Sequence, residues 1–433
     1  MYTIRINYNK LRKVYMFDGE NGDILREREL QALQKEYVYF RDFYYDCSID
    51  LLGFEPSEVQ MDIADYLQYG GMNAMIQAQR GEAKTTITGF YAVWCLIQDP
   101  STIIMILSAG GKMAKQIAVW CIQIIHGLDM LECLRVDKSH PGARSSIEAY
   151  DVHHSLKGPG KSPSICCMGI TTNNQGYRAH LLIADDIESK ENSATELQRE
   201  KLLDKSRELS SFVQAGRIVY LGTPQSSDSI YNTLYSRGFD IRIWPGRVPT
   251  PTEEQNYMIG SFNALAPIVR KMIADGCPRT GFGLLGTRGP AVDPIMQSEE
   301  KLVFQETDKG PADFDLQYML NTKLSDEDRF PLKLKNLMFT GLNPEQVQGQ
   351  FIWANSPEYI HPHPKGSFVK SDILYSPSFI SKEWFNYTGR YISIDPSGGG
   401  KNGDETGYAV LFHNNGYIFA QEISGVPGGV EED

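Results

Sequence analysis

Apolar residues recur at helical spacing from Glu29 to about Phe43, at Leu30, Leu33, Tyr37 and Phe40, and predict a first helix over 29–43. A second helix is predicted from Pro56, with Val59, Ile63, Tyr66 and Leu67 as its apolar stripe and Gly70-Gly71 as its stop. From residue 73 the pattern changes to short apolar runs alternating with helical stretches. Strands are predicted over 73–78, 102–107, 147–152, 165–170, 180–184, 217–221 and 239–244. Helices are predicted over 85–97, 112–126, 193–212 (capped by Asn192 or Ser193) and 227–236. The run at 102–107, Thr-Ile-Ile-Met-Ile-Leu, has no polar alternation, as expected of a strand covered on both faces. This alternation over ~170 residues predicts a parallel sheet with helices on both faces.

The pattern breaks at Pro245, where Val248-Pro249-Thr250-Pro251 can continue neither a central strand nor a helix interior. Residues 253–274 read as a helix interrupted at Pro267, 276–292 as a Gly- and Pro-rich loop, and 313–320 as a short amphipathic helix. Residues 331–388 have weak periodicity and read as an inter-domain connection. A new unit opens at Tyr391, with strands over 391–395, 406–412 and 417–421 and a hairpin signal at Asn414-Asn415-Gly416. The expected domains are an N-terminal extension over 1–54, an α/β core over 55–246, a lid or linker over 247–388 and a C-terminal unit over 389–433. Three strands do not close a core alone, so that unit reads as cut short.

Composition narrows the class. At 433 residues, 41% hydrophobic and 22% charged, the chain is globular and long enough for two or three domains. No run reaches the ~18 apolar residues of a membrane span, and the N-terminus lacks the layout of a signal peptide. The net charge of −12 argues against coating nucleic acid through one basic face. It leaves room for a few DNA-touching loops within an assembly. The seven cysteines form no Cys-x-x-Cys pair and read as buried, reduced thiols. His153-His154 and His361 with His363 have no cysteine or carboxylate partner at metal-site spacing, and read as surface or packing residues.

Chemistry concentrates at predicted strand ends. After the 73–78 strand, Gln79-Arg80-Gly81-Glu82-Ala83-Lys84-Thr85-Thr86 leads straight into a helix. A tight loop ending in Lys-Thr at a helix N-terminus points backbone N–H groups at an anion. Lys84 is placed to reach the β/γ-phosphates of a nucleotide and Thr85 to ligate Mg²⁺. Ala78 and Ala83 stand where such loops usually carry glycine, and Ala83 fits comfortably only with negative φ. The 180–184 strand ends in Asp185-Asp186, with Glu188 beyond; Asp185 is the candidate Mg²⁺ acid, and Asp186 or Glu188 the carboxylate that activates water. Arg80 could stabilise charge on the γ-phosphate, Gln60 could read an adenine edge, and Thr223 could sense the γ-phosphate. In a parallel sheet these strand ends share the carboxyl edge, where α/β sheets bind ligands. Asp395 and Asp404 flank a glycine-rich loop and form a weaker, separate candidate for metal-dependent phosphodiester cleavage.

These motifs, in this order, resemble the large terminase subunit of tailed bacteriophages, nearest the short-tailed, podovirus-type branch. The resemblance runs from about Glu55 to Glu422. It rests on Val59-Gln60-Met61-Asp62, the 77–85 loop, Ile183 to Glu188 followed by Asn192-Ser193-Ala194-Thr195, Val219 to Gln225, Leu316 to Asn321, Ile394-Asp395-Pro396-Ser397 and Asp404 to Val410. It implies a P-loop NTPase of the ASCE type with a mostly parallel sheet, followed by the start of an RNase H-like nuclease domain. It further implies an ATP-hydrolysing motor that packages double-stranded viral DNA into a procapsid, with Mg²⁺ as cofactor and Mg²⁺ or Mn²⁺ for the nuclease. The implied partners are DNA, the portal protein of the procapsid, a small terminase subunit and further copies in a ring, with no membrane. The implied place is the cytoplasm of the infected host, outside the mature virion. Residue by residue, Lys84 and Thr85 match the phosphate loop, Asp185 the metal acid, Asp186 or Glu188 the catalytic acid, Thr223 the coupling position and Asp395 the first nuclease ligand. The family's remaining nuclease acids would lie beyond residue 433, so the nuclease is expected to be incomplete and inactive here. Arg144 and Arg178 are candidates for fingers reaching a neighbour's ATP. Two other readings stay open: another nucleic-acid motor such as a helicase, and a nucleotide-binding assembly component with little or no ATPase.

Overall fold

The computed structural model describes residues 20–158, 160–172, 178–213, 216–226, 228–322, 337–354, 356–361, 374–395 and 406–426. It divides into two compact units, Met1–Leu324 and Ser325–Asp433. Residues 247–322 thus fall with the core sheet, and the segment expected over 247–388 spans both units.

In the first unit, helices α1 (Glu20–Glu36), α2 (Phe40–Leu52) and α3 (Glu58–Tyr69) precede the sheet. The single helix expected over 29–43 is two. The break at 37–39 has a physical cause: the Tyr37 carbonyl accepts from Trp94 Nε1 (2.8 Å) and Gln98 Nε2 (3.0 Å), while the Phe40 N–H donates to Gln68 Oε1 (2.7 Å). Side chains from elsewhere satisfy the helix ends, so the backbone need not continue the ladder. The apolar spacing persists across the break because Leu33, Tyr37, Phe40 and Phe43 all enter one core.

The sheet comprises β1 (Asn73–Ala78), β2 (Ile104–Ser108), β3 (Ala149–Tyr150), β4 (Ile165–Gly169), β5 (Leu181–Asp185), β6 (Arg217–Gly222) and β7 (Asp240–Trp244), in the order β3-β4-β2-β5-β6-β1-β7. All pairings are parallel except β3 with β4. Every residue of β2 and β5 is buried, which accounts for their unbroken apolar runs. Helix α4 (Lys84–Gln98) follows β1, and α5 (Gly111–Gly127) follows β2. Aromatic edge-to-face contacts of Phe43, Tyr44 and Trp120 with Phe90, at 5.5–6.4 Å between centroids, join α2, α4 and α5.

Several irregular stretches differ from the sequence pattern. The strand expected over 147–152 keeps two residues, followed by the one-turn α6 (His154–Lys157). The helix expected over 193–212 is α7 (Lys190–Ser193) and α8 (Glu196–Phe212), each with its own capping box, Ser189–Asn192 and Thr195–Gln198. Residues expected as a helix over 227–236 form 3₁₀ turns, Ile230–Thr233 and Tyr235–Arg237. The helix expected over 253–274 is α9 (Pro251–Glu254) and α10 (Pro267–Ala274), with the hairpin β8 (Met258–Ile259) and β9 (Phe262–Asn263) between them.

Helix α11 (Glu299–Gln317), bent where Gly310 takes φ 77° before Pro311, overlaps the short helix expected over 313–320 but begins at Glu299, fourteen residues earlier. The pattern concealed that earlier part because polar ion pairs, more than an apolar stripe, seat it. Arg247, fully buried, donates to Glu299 (2.7 and 2.9 Å) and to the Gly289 carbonyl (3.3 Å). Arg288 pairs with Glu306 (2.7 Å), Asp315 (2.7 Å) and Glu253 (3.1 Å). Phe314 lies near both guanidinium groups, 6.0 and 5.2 Å from its ring centroid.

In the second unit, β10 (Gln346–Gln348) pairs with β13 (Trp384–Asn386), and β11 (Phe351–Ile352) with β12 (Phe379–Ile380). β14 (Gly389–Asp395), β15 (Thr406–Asn414) and β16 (Tyr417–Val426) form an antiparallel sheet, with a register irregularity at Val410/Leu411. Among the described residues, no helix is long and apolar enough to cross a membrane.

Truncating Arg247 leaves Glu299 without its buried counter-charge, while Glu306 keeps Arg288. Arg247→Ala is expected to cost about 3 kcal/mol, measured by urea denaturation followed by tryptophan fluorescence.

Candidate nucleotide site

The parallel register sets the site. Gln77 pairs with Gly222 and Asp185 with Leu221, so β1, β6 and β5 end at one level. β6 lies between the strand that feeds the loop and the strand that ends in the acids. Lys84, which opens α4, is thereby enclosed. Its ammonium donates to the carbonyls of Ala78 (2.8 Å) and Gln79 (3.2 Å) and to Thr223 Oγ1 (3.2 Å). Burial lowers its pKa, opposed by the charges of Asp186, Asp185 and Glu82.

One residue on, Thr85 Oγ1 donates to both oxygens of Asp185 (3.1 and 3.0 Å). Burial and the neighbouring Asp186 push the Asp185 carboxyl up, against the bond from Thr85 and the charge of Lys84. A hydroxyl and a carboxylate meeting at a helix N-terminus offer oxygen only, the donor set that fits Mg²⁺. The Thr223 N–H donates to Asp186 Oδ1 (3.2 Å), and the Thr223 hydroxyl to the Ala78 carbonyl (3.4 Å). Thr223 therefore touches the loop, the lysine and the second acid at once.

The two candidate catalytic acids differ in their surroundings. Glu188 is 2% exposed, and its carboxylate accepts from Gln225 N–H (2.9 Å), Ser229 Oγ (2.7 Å) and Ile230 N–H (2.9 Å). It is fully occupied in holding the turns that follow β6. Asp186 stands at the strand tip with φ 40°, a conformation rare for a non-glycine residue.

Ala83 has φ 59° and ψ 24°. The comfortable negative φ is not what the loop adopts, and an alanine in the left-handed region costs on the order of 1–2 kcal/mol. Neighbours far along the chain hold the loop in place. Gln297 Nε2 donates to the Arg80 carbonyl (3.1 Å), and a Cβ on Gly81 (φ 86°) would collide with that same nitrogen. Glu82 is 1% exposed, accepts from Gln79 Nε2 (2.9 Å) and lies beside Asp293, also 1% exposed. Burial, and then that second carboxyl, push Glu82 up to about 8. Ser57 Oγ donates to Asp293 Oδ2. The backing of the loop by Asp293 and Gln297 carried no signal in the sequence.

Gln60 is fully buried. Its Oε1 accepts from the Ser57 N–H (3.1 Å) and Tyr44 OH (3.4 Å), closing a capping box at the start of α3. That acceptor is committed to the fold, so the amide does not offer the acceptor half of an adenine contact; Nε2 has no partner among the described residues. The Ser-x-x-Gln capping signature was legible in the sequence. Arg80 is exposed and Thr86 half-buried; the Thr86 carbonyl accepts from Trp120 Nε1 (3.1 Å). Arg144 is no free finger: its guanidinium donates to Asp151 (2.8 Å) and to the carbonyls of Lys161 (2.6 Å) and Ser162 (3.0 Å). Asp395 ends β14, exposed and paired in register with Gly407. Asp404 lies outside the described residues.

The strand order and the loop define an α/β nucleotide-binding fold of the P-loop, ASCE type. The chain is 37% identical over 382 residues to the large terminase subunit of Enterobacteria phage T3, a match that covers 87% of this chain and 62% of that protein. Residues 394–433 match the Ribonuclease H-like domain of the bacteriophage T7 terminase. The chain is thus similar to the phage large terminase subunits over most of its length, and spans about 62% of the length of its T3 relative. Among solved structures, a large terminase from a thermophilic bacteriophage is similar at 10% identity and TM-score 0.36, covering 88% of this chain and 70% of that one. The large terminase of bacteriophage HK97 is similar at 11% and 0.36, covering 85% and 63%.

Glu82 yields a test of the loop's backing. With a native pKa near 8 against an ordinary 4.5, the folded state keeps a proton that the unfolded chain has released. Stability is then lost as pH rises between about 5 and 8. Urea midpoints over that range are expected to fall less in Glu82→Gln than in the wild type.

Proposed function

We propose that this chain is the ATP-hydrolysing motor subunit of a viral DNA-packaging machine. The observation that carries the reading is the convergence of Lys84, Thr85, Asp185, Asp186 and Thr223, from three strand ends, within hydrogen-bond reach of one another. The 37% identity to a phage large terminase subunit supports it.

In this reading the loop N–H groups and Lys84 bind the β- and γ-phosphates of ATP, for which Lys84 exchanges its bonds to the loop carbonyls. Thr85 and Asp185 would hold Mg²⁺, which when bound supplies charge neutralisation at the phosphates. Asp186 orients and deprotonates the attacking water, because Glu188 is already saturated by three donors. Thr223 links the outcome to the chain beyond β6, since it contacts both Lys84 and Asp186. Gln60 Nε2 donates to the adenine. Arg80, exposed at the loop, acts on the γ-phosphate or on a neighbouring subunit.

The partners of this reading are double-stranded DNA, the portal of a procapsid, a small terminase subunit and further copies in a ring. The place is the cytoplasm of the infected bacterium. Residues 55–246 form the ATPase core, 247–388 a lid or connection, and 389–433 belong to a nuclease domain in which Asp395 and Asp404 are metal ligands for Mg²⁺ or Mn²⁺.

The test is phosphate release with and without double-stranded DNA. Lys84→Ala is expected to lower the DNA-stimulated rate by roughly 100-fold or more; equal rates would sink the reading. Asp186→Asn should lose turnover to a similar degree while still binding ATP. Glu188→Gln should lower the unfolding midpoint first.

A further inference from the structure

We infer that Asp137, His153 and His154 form a binding site for a divalent transition metal ion, Zn²⁺ by its donor set, at the edge of the sheet away from the loop. One ligand atom from each of the three lies within 4.8 Å of the other two. Fifteen residues separate Asp137 from His153, a spacing that no metal motif announces, and the fold closes it. The chain leaves the 3₁₀ turn Asp129–Leu134, passes through Asp137 and β3, and returns, so that the His153 N–H donates to the Leu134 carbonyl (3.1 Å).

Each side chain is held in a way that leaves a ligating atom available. Both bonds from Ser139, N–H at 2.9 Å and Oγ at 2.7 Å, fall on Asp137 Oδ1, which orients the carboxylate and leaves Oδ2. His153 is 4% exposed, with Nδ1 2.8 Å from Ser155 Oγ. A bond from the far ring nitrogen to a fixed oxygen is the usual support of a ligating imidazole, and directs Nε2 to the metal. Ligation through Nε2 keeps that bond and gives up the longer one from the Ser155 N–H (3.3 Å). His154 Nδ1 is buried without a hydrogen-bond partner among the described residues. A buried polar nitrogen is costly to leave unpaired, and a metal ion would satisfy it.

His140 stacks on His154, with centroids 3.8 Å apart and planes at 8°, and fixes the plane of that ring. Packing alone explains the stack but not the orphaned nitrogen or the carboxylate beside it. Two imidazoles and one carboxylate suit Zn²⁺, which takes four ligands. The fourth is a water or small anion, since a cavity of about 220 Å³ lined by Asp137, His140, Arg144, His154 and Lys157 adjoins the cluster. The ion would tie the 3₁₀ turn and β3 to the start of α6. This site is independent of the nucleotide site.

The experiment uses the tag-free full chain, stripped with a chelator, dialysed against Zn²⁺ and assayed for bound metal by mass spectrometry. About one Zn²⁺ per chain is expected. Asp137→Asn and His154→Ala should weaken binding by about 100-fold or more, and His361→Ala should bind as the wild type does. Co²⁺ in place of Zn²⁺ should give the intense visible bands of a tetrahedral site, absent in both ligand variants. Circular dichroism and ATP binding check that the variants are folded. Substoichiometric metal in the wild type, or equal metal in folded Asp137→Asn and His154→Ala, overturns the proposal.

Discussion

Three parallel strands ending at one level are the constraint on which this structure depends. The ladder from β1 to β6 to β5 has no slip, so Ala78, Gly222 and Asp185 finish within one residue of a common line. A shift of one residue would turn every side chain of a strand to the opposite face and separate Thr85 from Asp185. The site's geometry is thus fixed by backbone hydrogen bonds among fully buried residues, the part of a domain least open to local unfolding. The reactive side chains need only short reach. Lys84 and Thr85 stand on the first turn of a helix, and Asp185 on the last residue of a strand.

A second layer of polar groups supports the first. Ser57, Gln60, Gln79, Glu82 and Asp293 are all 5% exposed or less and come from three stretches of chain. Most of these side chains spend a bond on the loop or on the helix before it, although Gln60 Nε2, Gln79 Oε1 and Glu82 Oε1 have no hydrogen-bond partner among the described residues. The carboxylates of Glu82 and Asp293 share one dry place. The strain of Ala83 at positive φ sits directly beside them. Both features raise the local free energy of the loop, and both are tolerated because the surrounding sheet and helices are rigid.

Much of this was legible in the sequence, for identifiable reasons. The parallel core announced itself because buried strands read as unbroken apolar runs and helices as stripes. The Lys-Thr and Asp-Asp pairs stood out because they follow those runs directly. What escaped were features whose partners are remote. The break at residues 37–39 comes from Trp94, Gln98 and Gln68. The helix Glu299–Gln317 is seated by arginines 247 and 288, which give no apolar periodicity. Asp137 could not be joined to His153-His154 by spacing, because fifteen residues of mostly irregular chain carry no period to count. Arg144 looked available only because its acceptors are mostly backbone carbonyls, which a sequence does not distinguish.

The contacts of Gln297 with the Arg80 carbonyl and of Ser57 with Asp293 have a mechanical meaning. The first fastens the phosphate loop, and the second the start of α3, to a segment more than two hundred residues downstream, immediately before the long bent helix. Displacement of that helix would pull on the loop backbone through a hydrogen bond instead of through the sheet. The loop is thus joined to the layer outside the sheet by a direct side-chain bond as well as through the strand that feeds it.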